Sequence, residues 1–184
     1  MLKLTTLLTS IIFMAFGGIA FSKDLTSKDV THFTTLIDLL EHEYRGSLSN
    51  LKTKFDTSSA AQFPTNNAGH VALYDHTYND LANDTEQGII DKAVIQSGYS
   101  EDDDWISKSD RIVAAYIKIQ TDKGLYKNII SMPNSALQSL PTDVANQIKG
   151  LLAIIPAAEK ASDADVAVVR PHMAALETAM TDGF

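Results

Sequence analysis

Beyond residue 22, apolar side chains recur every three or four positions almost without a break, a period that admits α-helices and little else. In TSKDVTHFTTLIDLLEHEYRG, Val30, Phe33, Ile37, Leu40 and Tyr44 form one stripe of an amphipathic helix. Thr26 with Asp29 makes a capping box at its start, and Gly46 suits the position past its end. SLSNLKTKFD continues with Leu48, Leu51 and Phe55 on one side. Ser58 to Gly69 loses the period and holds Pro64, Asn66 and Asn67, the composition of a loop. The period returns from Ala68 to Leu81 through Val71, Tyr74, Tyr78 and Leu81, and from Thr85 to Ser97 through Ile89, Ile90, Ala93 and Val94, closed by Gly98.

A long helix is expected from Glu101 to Lys123, stopping at Gly124, with Trp105, Ile106, Ile112, Val113, Tyr116, Ile117 and Gln120 on its buried face. Leu125 to Met132 forms a short segment ended by Pro133, and Asn134 caps SALQSL. Pro141-Thr142-Asp143 introduces VANQIKGLLAII, which Pro156 ends or kinks. Ser162 and Asp165 offer a capping box before VAVVRPHMAALETAM, where Pro171 implies a kink or a fresh start. IIS and VAVV are the best strand candidates, and both lie inside helical patterns. The expectation is an all-α, compact bundle of about six or seven helices.

The first residues read MLKLTTLLTSIIFMAFGGIAFSKD. Lys3 precedes an apolar run from Leu4 to Phe21, and Ala20 and Ser22 place small residues as a secretory cleavage site requires. The run is close to the length of a membrane span, but Thr5, Thr6, Thr9, Ser10 and Gly17-Gly18 weaken it as a permanent anchor. Residues 1–22 are therefore expected to be a signal peptide cleaved after Ser22. Residues 23–184 are expected to be a single helical domain, periplasmic or secreted, without a membrane span. The chain holds no cysteine, which excludes disulfides, thiol catalysis and a thioether-linked lipid anchor. Loss of Lys3 with the leader takes the formal charge from -8 to -9. Such a surface repels phosphate backbones, so nucleic acid is excluded as a partner.

Four consecutive acids stand in GYSEDDDWISKSDR. A calcium loop needs alternating oxygen ligands, glycine at its sixth position and an acid at its twelfth. Counted from Asp102 the sixth position is Ser107, and counted from Asp104 the third is Ile106, so that spacing fails. Helix initiation fits better, with Ser100 and Asp103 as a capping box. Acids in the first turn of a helix contribute about 0.3–1 kcal/mol each. Arg111 follows on the same helix and either reaches a carboxylate on another helix or packs its stem at the surface.

His76, Asp80 and Asp84 recur at intervals of four, a spacing that can place ligands for zinc or manganese on one helical face. Tyr74, Tyr78 and Leu81 supply the buried stripe there, so the same residues also read as a solvated face. Tyr74, Tyr78 and Phe63 are candidates for lining a binding surface, or for core. No nucleophile elbow, phosphate loop, dinucleotide fingerprint or HExxH occurs, so no catalytic residue and no cofactor is assigned.

Gly98, Tyr99, Trp105, Arg111, Ala115 and Tyr116, followed by Asp165, Val166, Arg170, Pro171 and Leu176, form a pattern. It resembles that of a loose group of small exported proteobacterial helical proteins. The resemblance implies an exported helical domain and no catalytic residues; Trp105, Arg111 and Pro171 read in it as core and helix-boundary positions. The expected role is a non-enzymatic binding or protein-interaction module of the bacterial cell envelope, with a protein or small-molecule partner. Two alternatives stand beside it: a metal-dependent or carboxylate-based hydrolase using the His76/Asp80/Asp84 face, and an inhibitor or immunity protein for an exported enzyme.

Overall fold

The computed structural model describes residues 24–58 and 65–182. The expected signal peptide, Phe63 and Pro64 lie outside the described residues. Ten α-helices follow one another among the described residues. They are α1 Ser27–Asp38, α2 Ser49–Ser58, α3 Leu73–His76, α4 Asp84–Ser97 and α5 Trp105–Asp122, then α6 Lys127–Ile130, α7 Asn134–Gln138, α8 Thr142–Ala158, α9 Asp163–Val169 and α10 Met173–Asp182. The protein is all-α: no strand forms among the described residues, and a single bridge between Thr65 and Val71 closes a turn. IIS and VAVV fall at the end of α6 and in α9.

Two helices relax into a wider, π-helical turn where they end. After α1, Leu39–Glu43 closes with the Tyr44 N–H on the Leu39 carbonyl, and after α3, Thr77–Leu81 closes with the Ala82 N–H on the Thr77 carbonyl. Gly46 is thereby bypassed; the α1 run stops at Tyr44 without a left-handed residue. The 3-10 turn Arg170–His172 joins α9 to α10, so Pro171 marks a change of helical pitch. Pro156 lies in the last turn of α8, where it costs one N–H bond and the helix ends two residues later. Asn134 is the first residue of α7 and makes no side-chain cap.

The expected helix from Ala68 begins only at Leu73, because Asn66 gathers the N–H groups of Ala68 and His70 on its side-chain oxygen and turns the chain. The long helix also starts late, at Trp105 with Asp104 as its cap. Ser100 and Asp103 do bond each other reciprocally, but around a separate turn. Asp103 is held there by Lys108, five positions on and itself fixed by Asp29 of α1, so the acids before it do not occupy the first turn of α5.

Helix α5 is the centre of the molecule, with more than half of its residues buried. Its Ile112, Val113, Ala115 and Ile119 pack with Val30 and Phe33 of α1, Ile154 and Ala158 of α8, Val166 and Val169 of α9 and Leu176 of α10. A second apolar cluster joins Leu36, Tyr44, Leu48 and Leu51 to Ile90, Ala93 and Val94 of α4 and to Tyr99. Helix α1 contributes to both. Among the described residues no helix is long and apolar enough to cross a membrane.

Candidate functional site

The first turns of α5 carry a run of charged residues, and each is used differently. Lys108 is buried between Asp29 at 2.7 Å and Asp103 at 2.8 Å. Asp29 in turn receives the N–H of Thr26, whose hydroxyl caps α1, and its backbone carbonyl accepts the Tyr99 hydroxyl at 3.1 Å. Hydrogen bonds from Lys108 and then from Ser100 hold the Asp103 carboxyl well below the usual carboxylate range. Burial pushes Asp29 up, but bonds from Lys108 and Thr26 outweigh it and the net shift is down. This network ties the start of α1 to the start of α5 and is structural.

Asp110 and Arg111 face a different space. Arg111 grips Asp165 of α9 through two bonds, Nε at 3.1 Å and Nη2 at 2.6 Å. That fork is the strongest pairing a guanidinium makes, and Asp165 raises the Arg111 pKa further. The Asp165 N–H is meanwhile held by Ser162, so the cap of α9 and the ion pair share one residue. Asp110 accepts the N–H of Tyr74 at 2.8 Å on one carboxylate oxygen and that of Asp75 at 3.3 Å on the other. It thereby caps α3 from another helix, in place of Ala72, which has no side-chain cap to offer. Burial drives the Asp110 pKa up to about 7, against the pull of those N–H groups and with help from the neighbouring Asp75 charge.

Around these two residues opens a cleft of about 700 Å³. One wall is the turn from Asn66 to Ala72 with Asp75 beyond it; the floor is Asp110, Arg111 and Ala114; the far wall is Lys160 to Ser162 and Asp165. The walls are bonded in place: Lys160 Nζ reaches the Ala68 carbonyl at 2.9 Å, and Lys118 Nζ reaches the Ala161 carbonyl at 2.8 Å. Asp75 and Asp104 are exposed at the rim, with His70 on the turn. A concave site with several convergent polar groups and a shifted titration is where a ligand fits best on physical grounds.

The sequence-derived metal trio is not assembled. His76 Nδ1 meets Asp80 Oδ2 at 2.6 Å, but the helix ends at Leu81 and Ala82 turns extended. Asp84 therefore opens α4 rather than extending the same face, and the regular spacing loses its geometric meaning. Among the described residues no group of three or more histidines or acids could hold a metal ion. Tyr74 and Tyr78 belong to the packing: Trp105 lies edge-on to both, at 6.3 and 5.4 Å, and Phe33 lies edge-on to Tyr74 at 5.5 Å. The Tyr78 hydroxyl binds Asp91, and burial with that carboxylate pushes its pKa up to about 12.

Arg111 reaches a carboxylate, one of its two expected fates, whereas Asp110 was absent from the expected site. A signal for it exists. Asp110 interrupts the row Ile106, Val113, Ile117 at the one helical position that should be apolar. The fold class is thus that of an all-α protein with a polar cleft beside its central helix. No protein-family model, no curated protein and no solved structure matches the chain.

Proposed function

We propose that the chain is a non-enzymatic binding module of the bacterial cell envelope, exported on residues 1–22, and that the cleft beside Arg111 receives a positively charged group of its partner. The cleft carries this reading. Its buried charges are committed to structure, Asp110 to the α3 backbone and Arg111 to Asp165, an arrangement that presents a fixed surface. With Asp165 neutralising Arg111, the exposed carboxylates Asp75 and Asp104 stand against Lys160. The net formal charge, -8 for the whole chain and -9 without residues 1–22, has the same sign and steers cations toward the protein. The leader's lysine, apolar run and small-residue cleavage site support export.

Calorimetric titration with an oligolysine peptide, with spermidine and with an oligoglutamate peptide tests the proposal. Binding of a cationic probe is expected, weakened several-fold in Asp75→Arg but unchanged in Asp122→Arg, which alters the net charge equally on exposed surface outside the cleft. Peptide binding without spermidine binding would assign the cation to a protein side chain; the reverse would assign it to a small polyamine. Equal loss in both variants, or no binding of either cationic probe, would overturn it.

A further inference from the structure

Asp110 combines three properties found together in neither Asp103 nor Asp29. It is only 7% exposed, both its oxygens bond backbone N–H groups of another helix, and it forms part of the floor of the cleft. The first N–H groups of a helix have no partner within it. In α3 two of them depend on this carboxylate, and Ala72 supplies nothing in its place. A neutral acid keeps one carbonyl oxygen as a good acceptor, while its hydroxyl oxygen accepts more weakly and brings a donor that needs a partner of its own. The arrangement is therefore strongest with Asp110 ionised.

We propose that Asp110 is a proton-controlled latch: ionised, it pins the first turn of α3 and the cleft wall bearing Asp75, and protonated, it loosens its hold on that turn while its own side chain stays buried on α5. Its bearing on binding rests on the cleft reading above, whereas the latch itself is a property of the chain alone. The charged groups sharing the cleft with Asp110 are Asp75 on α3, His70 on the turn before it, Asp104 and Arg111 at α5, and Lys160 and Asp165 opposite. Arg111 is taken by Asp165 and Lys160 by the Ala68 carbonyl. On the α1 side of α5, Asp29 and Lys108 are paired with each other. The charge that acts on it is the Asp75 carboxylate, which opposes ionisation as burial does. Turnover consequently falls near neutrality, where modest acidification operates the latch.

Amide proton–nitrogen spectra of the whole chain without ligand, recorded from about pH 5 to about pH 8.5, test this across the interval where a raised carboxyl titrates. The Tyr74 and Asp75 amides are expected to shift along one sigmoid with a shared midpoint near 7. Their hydrogen exchange, corrected for its intrinsic pH dependence, should accelerate several-fold on the acid side. In Asp110→Asn both amides should stay flat and resemble the acid form. Should that variant fail to fold, His70→Gln and His76→Gln serve instead, and an unchanged midpoint in both supports Asp110. Flat amides in the native chain would overturn the latch, as would a midpoint that disappears with either histidine. Failure of the cation titrations would leave this result untouched, so the two proposals fail separately.

Discussion

Lys108 shows what a single buried charge does here. Its side chain is 8% exposed, with the ammonium between two carboxylates, and removing it would leave both without their cation. Breaking a buried pair costs more than the pair itself contributes, because the survivor remains desolvated. Lys108→Met should lose about 3–5 kcal/mol in urea unfolding. Lys52→Met, which removes the exposed i, i+4 partner of Asp56, should change stability by less than about 0.5 kcal/mol. A small loss at Lys108 would mean that Asp29 and Asp103 are stable without it. The pH dependence follows from shifts of opposite sign. Asp103 and Asp29 are depressed, and so is Glu86, which at the start of α4 is bonded by Lys54 and then by the Asn83 N–H. The stability these three contribute is therefore present above their unfolded values and is lost as pH falls through the folded ones. Asp110 is raised from 3.8 to about 7, so between those values the folded chain holds a proton that the unfolded chain releases. Its contribution therefore diminishes as pH rises across that window, even though ionisation tightens the turn at α3. Thermal melts should show a decline toward neutral pH that Asp110→Asn flattens, and an acid-side loss that the variant retains.

At the scale of the element, helix endings separate local from tertiary control. Gly98 and Gly124 were both expected as stops, and both adopt positive φ, 104° and 78°. A side chain at either position is strained by about 1–3 kcal/mol. Only at Gly98 is the space also taken, since a Cβ there would lie 2.8 Å from Nε2 of His32, whose ring stands edge-on to Tyr99. Around Gly124 nothing lies within 4 Å. Gly98→Ala should thus cost more than Gly124→Ala in chemical denaturation, and His32→Ala should relieve only the former. Equal costs, or no relief, would show that backbone strain alone sets both. The starts of helices behave differently. The Thr26–Asp29 box was legible because both partners lie within one turn. The start of α5 was misplaced because Lys108, itself placed by Asp29 on another helix, holds Asp103 in the preceding turn.

Over the whole molecule, α1 joins two apolar clusters, placing Phe33 in one and Leu36 in the other. Both side chains are fully buried, so Phe33→Ala should cost about 3–5 kcal/mol and Leu36→Ala about 2–5 kcal/mol. If α1 couples the clusters, each variant should lower one shared transition, seen identically by far-ultraviolet dichroism and by Trp105 fluorescence. Trp105 packs against the second cluster, so its transition staying in place in Phe33→Ala would show that the clusters melt separately. The cleft belongs to this scale too. Its floor is on α5, one wall precedes α3 and the other joins α8 to α9.

What the order of residues determined by itself is the helical class and most of its punctuation. Those depend on side chains that meet within one or two turns, as in the stripe from Val30 to Tyr44 or the stop at Gly98. The tertiary structure alone decided which charges are buried and whom they meet. Arg111 finds Asp165 across 54 positions and Asp110 finds the backbone of Tyr74 across 36, separations over which periodicity carries no information. It likewise broke the face of His76, Asp80 and Asp84, because a helix that unwinds at Ala82 no longer stacks residues four apart. A carboxylate's chemistry is set by the dipoles and solvent around it, and here those are supplied by helices that only the fold brings together.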